Sequence, residues 1–386
     1  MKTVGNSQYQ KLANTYLILK QLRSGDYSRT ELSQLLGLQA STVTNVTARL
    51  LDLGMVEESA DESASGLGRK RTLLSLRGDT GLAAGLELLV GCYRLVLTDL
   101  KGQVLAEEEL LYTDNGMPFL KKVREALSSV EARASGHRLL GACIAVPGVV
   151  YPDRYYVEEC WTHGLYKADL RSDLWSYPYP VFLENDANAS AFSFLSRGRE
   201  NEVYLYLLLR RHDLVDLPSG EVPLIGIGSG IVINGELYRG EHGHAGEFRS
   251  SGVSAPHQQV SLTNEELGKL GEEEGLLRRF LEEILDVYLV SSCLLDPSRL
   301  YIGGFVAEEP FCAVLEDLLD SSYRDKLKKL LPGMEVVISR DSRFDPSRGS
   351  ARLFLDWLLK IPRIGVEEED ERRFSILETG TRRNND

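Results

Sequence analysis

The spacing of apolar residues changes near residue 80, and that change constrains the fold more than any other feature of the chain. Before it, three short runs have helical spacing. Asn14 to Arg23 carries Tyr16, Leu17, Ile18, Leu19 and Leu22 and stops at Ser24-Gly25-Asp26. Ser28-Arg29-Thr30-Glu31 reads as a capping box, in which serine hydroxyl and glutamate carboxylate each satisfy a free backbone donor. The helix it opens runs through Leu32, Leu35 and Leu36 to Gly37, a C-cap glycine. A third helix, Ser41 to Leu53, is expected to bury Val43, Val46, Leu50 and Leu51 and to expose Ser41, Thr42, Thr44, Asn45 and Thr47.

From Gly81 the chain alternates strands and helices. Leu82–Leu88, Tyr93–Thr98 and Gln103–Leu111 read as strands, Pro118 to Ala134 as a helix, and Leu139–Val146 as a buried strand. Val181-Phe182-Leu183 is a further strand, leading into Glu184-Asn185-Asp186-Ala187-Asn188 at the mouth of a helix. The theme restarts with Val203–Leu209 and the glycine-rich hairpin Gly226–Gly235, so an α/β body of two lobes with a cleft between them is expected. Glu265 to Val290 reads as one long amphipathic helix, and Ser350 to Leu359 as a helix returning to the first lobe. The expected domains are 1–78, 79–195 and 196–364, followed by a charged, mobile tail over 365–386.

Two helices joined by a short turn, the second with a face of small polar groups, form a helix-turn-helix. Met55–Glu58 and Arg71–Leu76 then read as a hairpin whose tip contains Gly66, Gly68, Arg69 and Lys70, the pattern of a basic wing. The residues expected to contact DNA are Arg29, Ser41, Thr42, Thr44, Asn45, Thr47, Arg69, Lys70 and Arg71. Charge agrees with this division. Residues 1–78 hold ten Lys and Arg against seven Asp and Glu in a chain of net charge -13, so the head is basic and the body strongly acidic. A dimer would place two such heads on a palindromic double-stranded operator.

Five scattered cysteines, Cys92, Cys143, Cys160, Cys293 and Cys312, form no CxxC pair and imply reduced thiols. No leader-like apolar segment opens the chain, and no stretch of about 18 apolar residues occurs, so a cytoplasmic location without membrane contact is expected.

Val146-Pro147-Gly148, Glu184–Asn188, the Gly226–Gly235 hairpin, Ala245-Gly246-Glu247, Leu295-Asp296-Pro297 and Ile302-Gly303-Gly304 occur in the order seen in the ROK family, which the chain resembles over nearly its whole length. That resemblance implies the actin-like ATPase fold of sugar kinases. With the N-terminal head, it is to the family's N-acetylglucosamine and xylose repressors. It also implies a homodimer, a sugar or sugar-derivative effector and, for Asp186, the place of the kinases' catalytic base. Asn185, Asp186, His244 and Glu247 are the expected effector contacts.

The family's kinases carry Asp-x-Gly-Gly-Thr on the first strand pair, where the glycines admit ATP phosphates. Ungapped alignment from Gly85 to Asp99 puts Glu87, Leu89, Val90 and Gly91 there. Bulk where phosphates must lie should disable phosphoryl transfer, so no enzyme activity and no cofactor are expected. Alternatives are an ATP-dependent sugar kinase and an effector-independent DNA-binding dimer. The family's structural zinc uses a histidine and a cysteine cluster; here Ser250 takes the histidine position and 251–270 holds no cysteine. His242, His244 and His257 are thus read as polar residues rather than metal ligands, and Arg249 raises the prospect of an acidic ligand.

Overall fold

The computed structural model describes residues 7–60, 71–134, 136–195, 201–212, 225–251, 253, 258–362 and 367–378. The N-terminal head consists of α1 (Ser7–Ser24), α2 (Arg29–Leu36), α3 (Ala40–Asp52) and the antiparallel hairpin β1 (Val56–Ala60) and β2 (Thr72–Leu76). The capping box forms as expected: the Ser28 hydroxyl accepts from the Glu31 amide while the Glu31 carboxylate accepts from the Ser28 amide, and Gly37 closes α2 in the left-handed region.

The body begins with β3 (Leu82–Leu88), β4 (Cys92–Asp99), β5 (Val104–Leu111), α4 (Phe119–Ala134) and β6 (Leu139–Val146). A small antiparallel sheet not anticipated from the sequence follows, β7 (Val149–Tyr151), β8 (Tyr156–Cys160) and β9 (Leu165–Asp169). Then come α5 (Arg171–Leu174), β10 (Val181–Asn185) and α6 (Asp186–Ser193). The second lobe has β11 (Val203–Arg211), β12 (Ile225–Ile233), β13 (Glu236–Leu237), α7 (Asn264–Gly268), α8 (Glu274–Leu295) and β14 (Arg299–Gly304). It continues through α9 (Phe311–Leu318), α10 (Arg324–Leu330), β15 (Glu335–Ile338) and α11 (Asp345–Leu358); α12 (Glu367–Glu378) ends the described chain.

The duplication is explicit in the topology. The first sheet runs β10-β6-β3-β4-β5 and the second β15-β14-β11-β12-β13, each with three parallel strands followed by two antiparallel ones. The carboxyl ends of β3 and β11 therefore face a common cleft, the position at which parallel sheets bind ligands. α11 lies between the sheets, in backbone contact with β3: a Cβ on Gly85 would sit 1.8 Å from the Ser347 carbonyl oxygen.

Two expectations are corrected here. The helix read over 265–290 is two helices, because 269–273, with Gly271 and three consecutive acids beside it, leaves the helical path between α7 and α8. The segment expected to be a mobile tail contains α12, whose Phe374 and Leu377 are buried. These two residues join one apolar cluster with Tyr16, Leu50 and Leu76 of the head and Leu140, Phe354 and Leu358 of the body. The charges of EEEDERR hide this role in the sequence, since the two anchors fall just after them. Head, first lobe and α12 thus share a core. No described helix is long and apolar enough to cross a membrane.

Candidate functional site

Two regions hold the residues singled out by the sequence. In the head, Ser41, Thr44 and Asn45 are exposed along α3 and Thr42 is half-buried. Thr47 is not exposed as expected: its side chain is fully buried, its hydroxyl accepting from Arg29 Nε at 3.1 Å. One helical turn beyond Val43 and one before Leu50, it lies on the buried stripe, and a threonine is small enough to be enclosed there. Arg29 also pairs with Glu58 at 2.7 Å, so it ties α2 to α3 and the hairpin. Arg71 pairs with Glu31 at 3.2 Å. Arg69 and Lys70 lie outside the described residues. Arg49, on the exposed side of α3, pairs with Glu378 at 2.5 Å and lies over the Phe374 ring at 4.8 Å.

In the body, a cavity of about 510 Å³ occupies the cleft, and Asn185, Asp186, His244 and Glu247 all line it. β10 and α6 meet at Asn185–Asp186, which fixes their roles. The N-cap function weighed for Asp186 falls on Asn185, whose Oδ1 accepts from the Asn188 amide at 2.9 Å while its Nδ2 donates to the Gly148 carbonyl. Both Asn185 groups are therefore engaged within the chain. Glu247 follows Gly246, which has φ +95° and a Cβ position 1.8 Å from the Ser229 carbonyl oxygen. Only glycine permits that approach, and it holds the Ala245-Gly246-Glu247 turn against β12. Gln259 braces the same wall, accepting from the Ile227 amide at 2.8 Å and donating to the Ile227 and Phe248 carbonyls.

The centre of the cleft is an arginine that the motif pattern does not reveal. Arg210, at the end of β11, forms an ion pair with Glu87 of β3 through its Nη2 and approaches Asp186 with Nε at 3.4 Å. Glu87 is fully buried and is also held by Arg94 at 3.2 Å. The available signal is a charged residue directly after an unbroken apolar strand, the edge at which ligands bind. Leu89 and Val90 form the β3–β4 turn and do not line the cavity. His212, next to the arginines, does. Ser250 is buried and its amide donates to the Gln259 carbonyl. His257 lies outside the described residues; among those described, no three His, Cys, Asp or Glu could hold a metal ion together.

Burial pushes the Asp186 carboxyl up to about 7, and the nearby Glu247 carboxylate acts in the same direction. Burial likewise raises Glu247 and pulls the Arg210 guanidinium down to about 10, still charged at neutral pH. A carboxyl raised from 3.8 to about 7 binds its proton more tightly in the folded chain, so its contribution is present below pH 4 and is lost as pH rises towards 7. Asp186→Asn should therefore gain stability relative to the parent between pH 4 and 7. Urea titrations across that range check the sign; an unchanged difference would contradict it.

Residues 84–249 match the family model described as ROK family. The xylose repressor of Bacillus subtilis (strain 168) is 28% identical over 287 residues, which are 72% of this chain and 70% of the repressor. A ROK family transcriptional regulator, a homolog of the E. coli MLC protein, superposes with a TM-score of 0.70 at 15% identity, over 96% of this chain and 100% of that one. A ROK family glucokinase from Streptomyces griseus, in complex with glucose and AMPPNP, has a TM-score of 0.54 at 20% identity, over 71% of this chain and 99% of that one. At these identities, the two structures speak for the actin-like, sugar-kinase-like fold.

Proposed function

Since residues 84–249 of this chain belong to the ROK family, we propose that the protein is a DNA-binding transcription regulator, a repressor of carbohydrate-related genes, whose kinase-like cleft binds a sugar or sugar derivative without phosphorylating it. The xylose repressor relative supports the regulatory role. The observation that carries the loss of catalysis is Arg210. Its guanidinium lies between Glu87 and Asp186, so an internal cation engages the carboxylates that correspond by alignment to those of the kinases. Both Asp186 oxygens already face donors of the chain, Oδ2 the Arg210 Nε at 3.4 Å and Oδ1 the Ala187 amide at 2.9 Å, so a sugar hydroxyl would compete with them for the carboxylate. Leu89 and Val90 in the β3–β4 turn add to this, since neither leaves the room of the glycines they replace.

In this reading Ser41, Thr42, Thr44 and Asn45 face the major groove, and Arg69, Lys70 and Arg71 of the wing contact phosphates or the minor groove. Two chains bind a palindromic operator as a homodimer in the cytoplasm. Asp186, Glu247 and His244 contact the effector, with Asn185 shaping the cleft wall. Effector binding regulates DNA binding only if it favours one arrangement of lobes and head over another.

Selection of bound duplexes from a random pool, repeated with candidate sugars, tests the proposal. Asn45→Ala should cost about 1–3 kcal/mol on the selected site and relax its sequence preference. Arg69→Ala should weaken binding to all duplexes and lower the salt slope by about one. No selected sequence, or variants indistinguishable from the parent, would overturn the assignment of the head. The retained Asp186 and the fold shared with a glucokinase favour one competing activity, ATP-dependent sugar phosphorylation. A coupled ATPase assay over the same sugars should give no turnover; turnover abolished by Asp186→Ala would overturn the non-catalytic reading. Operator binding intact in the absence of any detectable ligand would leave the body as a dimerisation module.

A further inference from the structure

We propose that a second hollow, along β10, binds an organic cation with a ring or hydrophobic body. The hollow has a volume of about 740 Å³ and is bounded by both lobes and the last turns of α11. The two cavities meet successive parts of one segment: Phe182, Leu183 and Glu184 of β10 line the hollow, whereas Asn185 and Asp186 line the cleft. The role of the hollow does not depend on what the cleft binds.

Two features define the ligand. The first is a chain of aromatic rings. Trp175 and Tyr155 have centroids 5.9 Å apart, Tyr155 and Phe182 6.1 Å, and Phe182 and Trp357 4.5 Å, with Trp175 more than half exposed. The second is charge. Among the described residues, carboxylates at Asp153, Glu184, Glu236 and Asp356 line the hollow against the cations Arg239 and Lys360. Glu184 is committed to Arg239, with the two bonded at 2.5 Å, and Lys360 lies 3.9 Å from Glu236. Asp153 and Asp356 have no hydrogen-bond or ion-pair partner among the described residues. The rings already hold cations of the chain, Arg171 5.8 Å from the Trp175 centroid and Arg373 6.0 Å from that of Trp357, and together with Asp356, and with Asp153 in the field of Arg239, they favour a cation over an anion.

The hollow also lies on a path to the head. Arg373 of α12 donates through Nη1 to the carbonyls of Trp357 at 2.9 Å and Lys360 at 2.5 Å, and its guanidinium lies 5.1 Å from the Tyr16 ring centroid of α1. A ligand resting on Trp357 therefore bears on the turn that α12 fastens to the head.

The three tryptophans make the test specific, since Trp161 lines the cleft while Trp175 and Trp357 line the hollow. The full-length Trp161→Phe variant is titrated with phenethylammonium, with 3-phenylpropanoate as the anionic counterpart and xylose as a neutral sugar, following tryptophan fluorescence. Phenethylammonium should give a saturable change in this variant and none in Trp175→Phe/Trp357→Phe. Asp356→Asn should weaken it about tenfold at an unchanged melting temperature, and 3-phenylpropanoate should bind at least about tenfold more weakly. Absence of a saturable change in Trp161→Phe overturns the site. So does an equal response to the anion, tighter binding of xylose by the same two tryptophans, or a phenethylammonium response confined to Trp161.

Discussion

Arg210→Met should lower the free energy of unfolding by about 3 kcal/mol at neutral pH, measured by urea denaturation. The substitution preserves much of the side-chain volume, so the effect is electrostatic. Glu87 is fully buried, and removal of Arg210 leaves its charge with Arg94 alone. Breaking a buried pair from one side usually costs about 3–5 kcal/mol, and the surviving Arg94 contact places this case at the lower end. The pair variant Glu87→Gln/Arg210→Met should recover a substantial part of the loss, because the stranded carboxylate is gone. A loss below about 1 kcal/mol, or a pair variant no better than the two single losses added, would mean that the ion pair contributes little to the fold. The same variant bears on function, since it frees the Asp186 carboxylate of its neighbouring cation. If an internal cation is what disables the cleft, Arg210→Met is the variant in which nucleotide affinity should be sought.

Leu377→Ala should destabilise the protein by about 2–5 kcal/mol, the range for truncating a buried leucine. Leu377 is completely buried in the cluster shared by head, body and α12. Phe374, about one turn earlier on α12, meets Tyr16 of α1 edge-on with centroids 6.3 Å apart, and the Arg49 guanidinium of α3 lies 4.8 Å from the Phe374 ring centroid. Glu378→Gln, in contrast, should change stability by less than about 1 kcal/mol, because the Arg49–Glu378 pair is solvent-accessible. If α12 undocks before the rest unfolds, the loss appears as faster amide exchange in α1, α3 and α12 rather than as a lower global midpoint. A neutral Leu377→Ala with unaltered exchange would show that α12 does not hold the head. The consequence for regulation is direct. The head meets the first lobe through buried apolar contacts, so in the proposed regulator a shift of that lobe or of α11 would reach α3 through packed side chains.

Local physics made much of this protein legible in advance. The capping box at Ser28–Glu31, the glycine stop at Gly37 and the strands Leu82–Leu88 and Leu139–Val146 follow from short-range spacing, and each forms as read. The small sheet of β7 to β9 was not legible, because Pro152 and Gly164 break its strands into runs of three to five residues with no clear alternation. Thr47 illustrates the limit within a helix: its polarity says exposed, while its position on the helix says buried, and position decides.

The sequence alone determined most helices and strands of the head and of the first lobe outside β7 to β9, the duplication of the body and the membership of Asn185, Asp186, His244 and Glu247 in one cleft, since these rest on periodicity and ordered motifs. Only the tertiary structure decided that Arg210 closes on Glu87, 123 positions earlier in the chain, and that α12 is part of the head's core. Both depend on groups distant in sequence meeting in space. An arginine gives no hint of which buried carboxylate will neutralise it, and two apolar residues just after seven charges reveal their purpose only once a complementary surface is beside them.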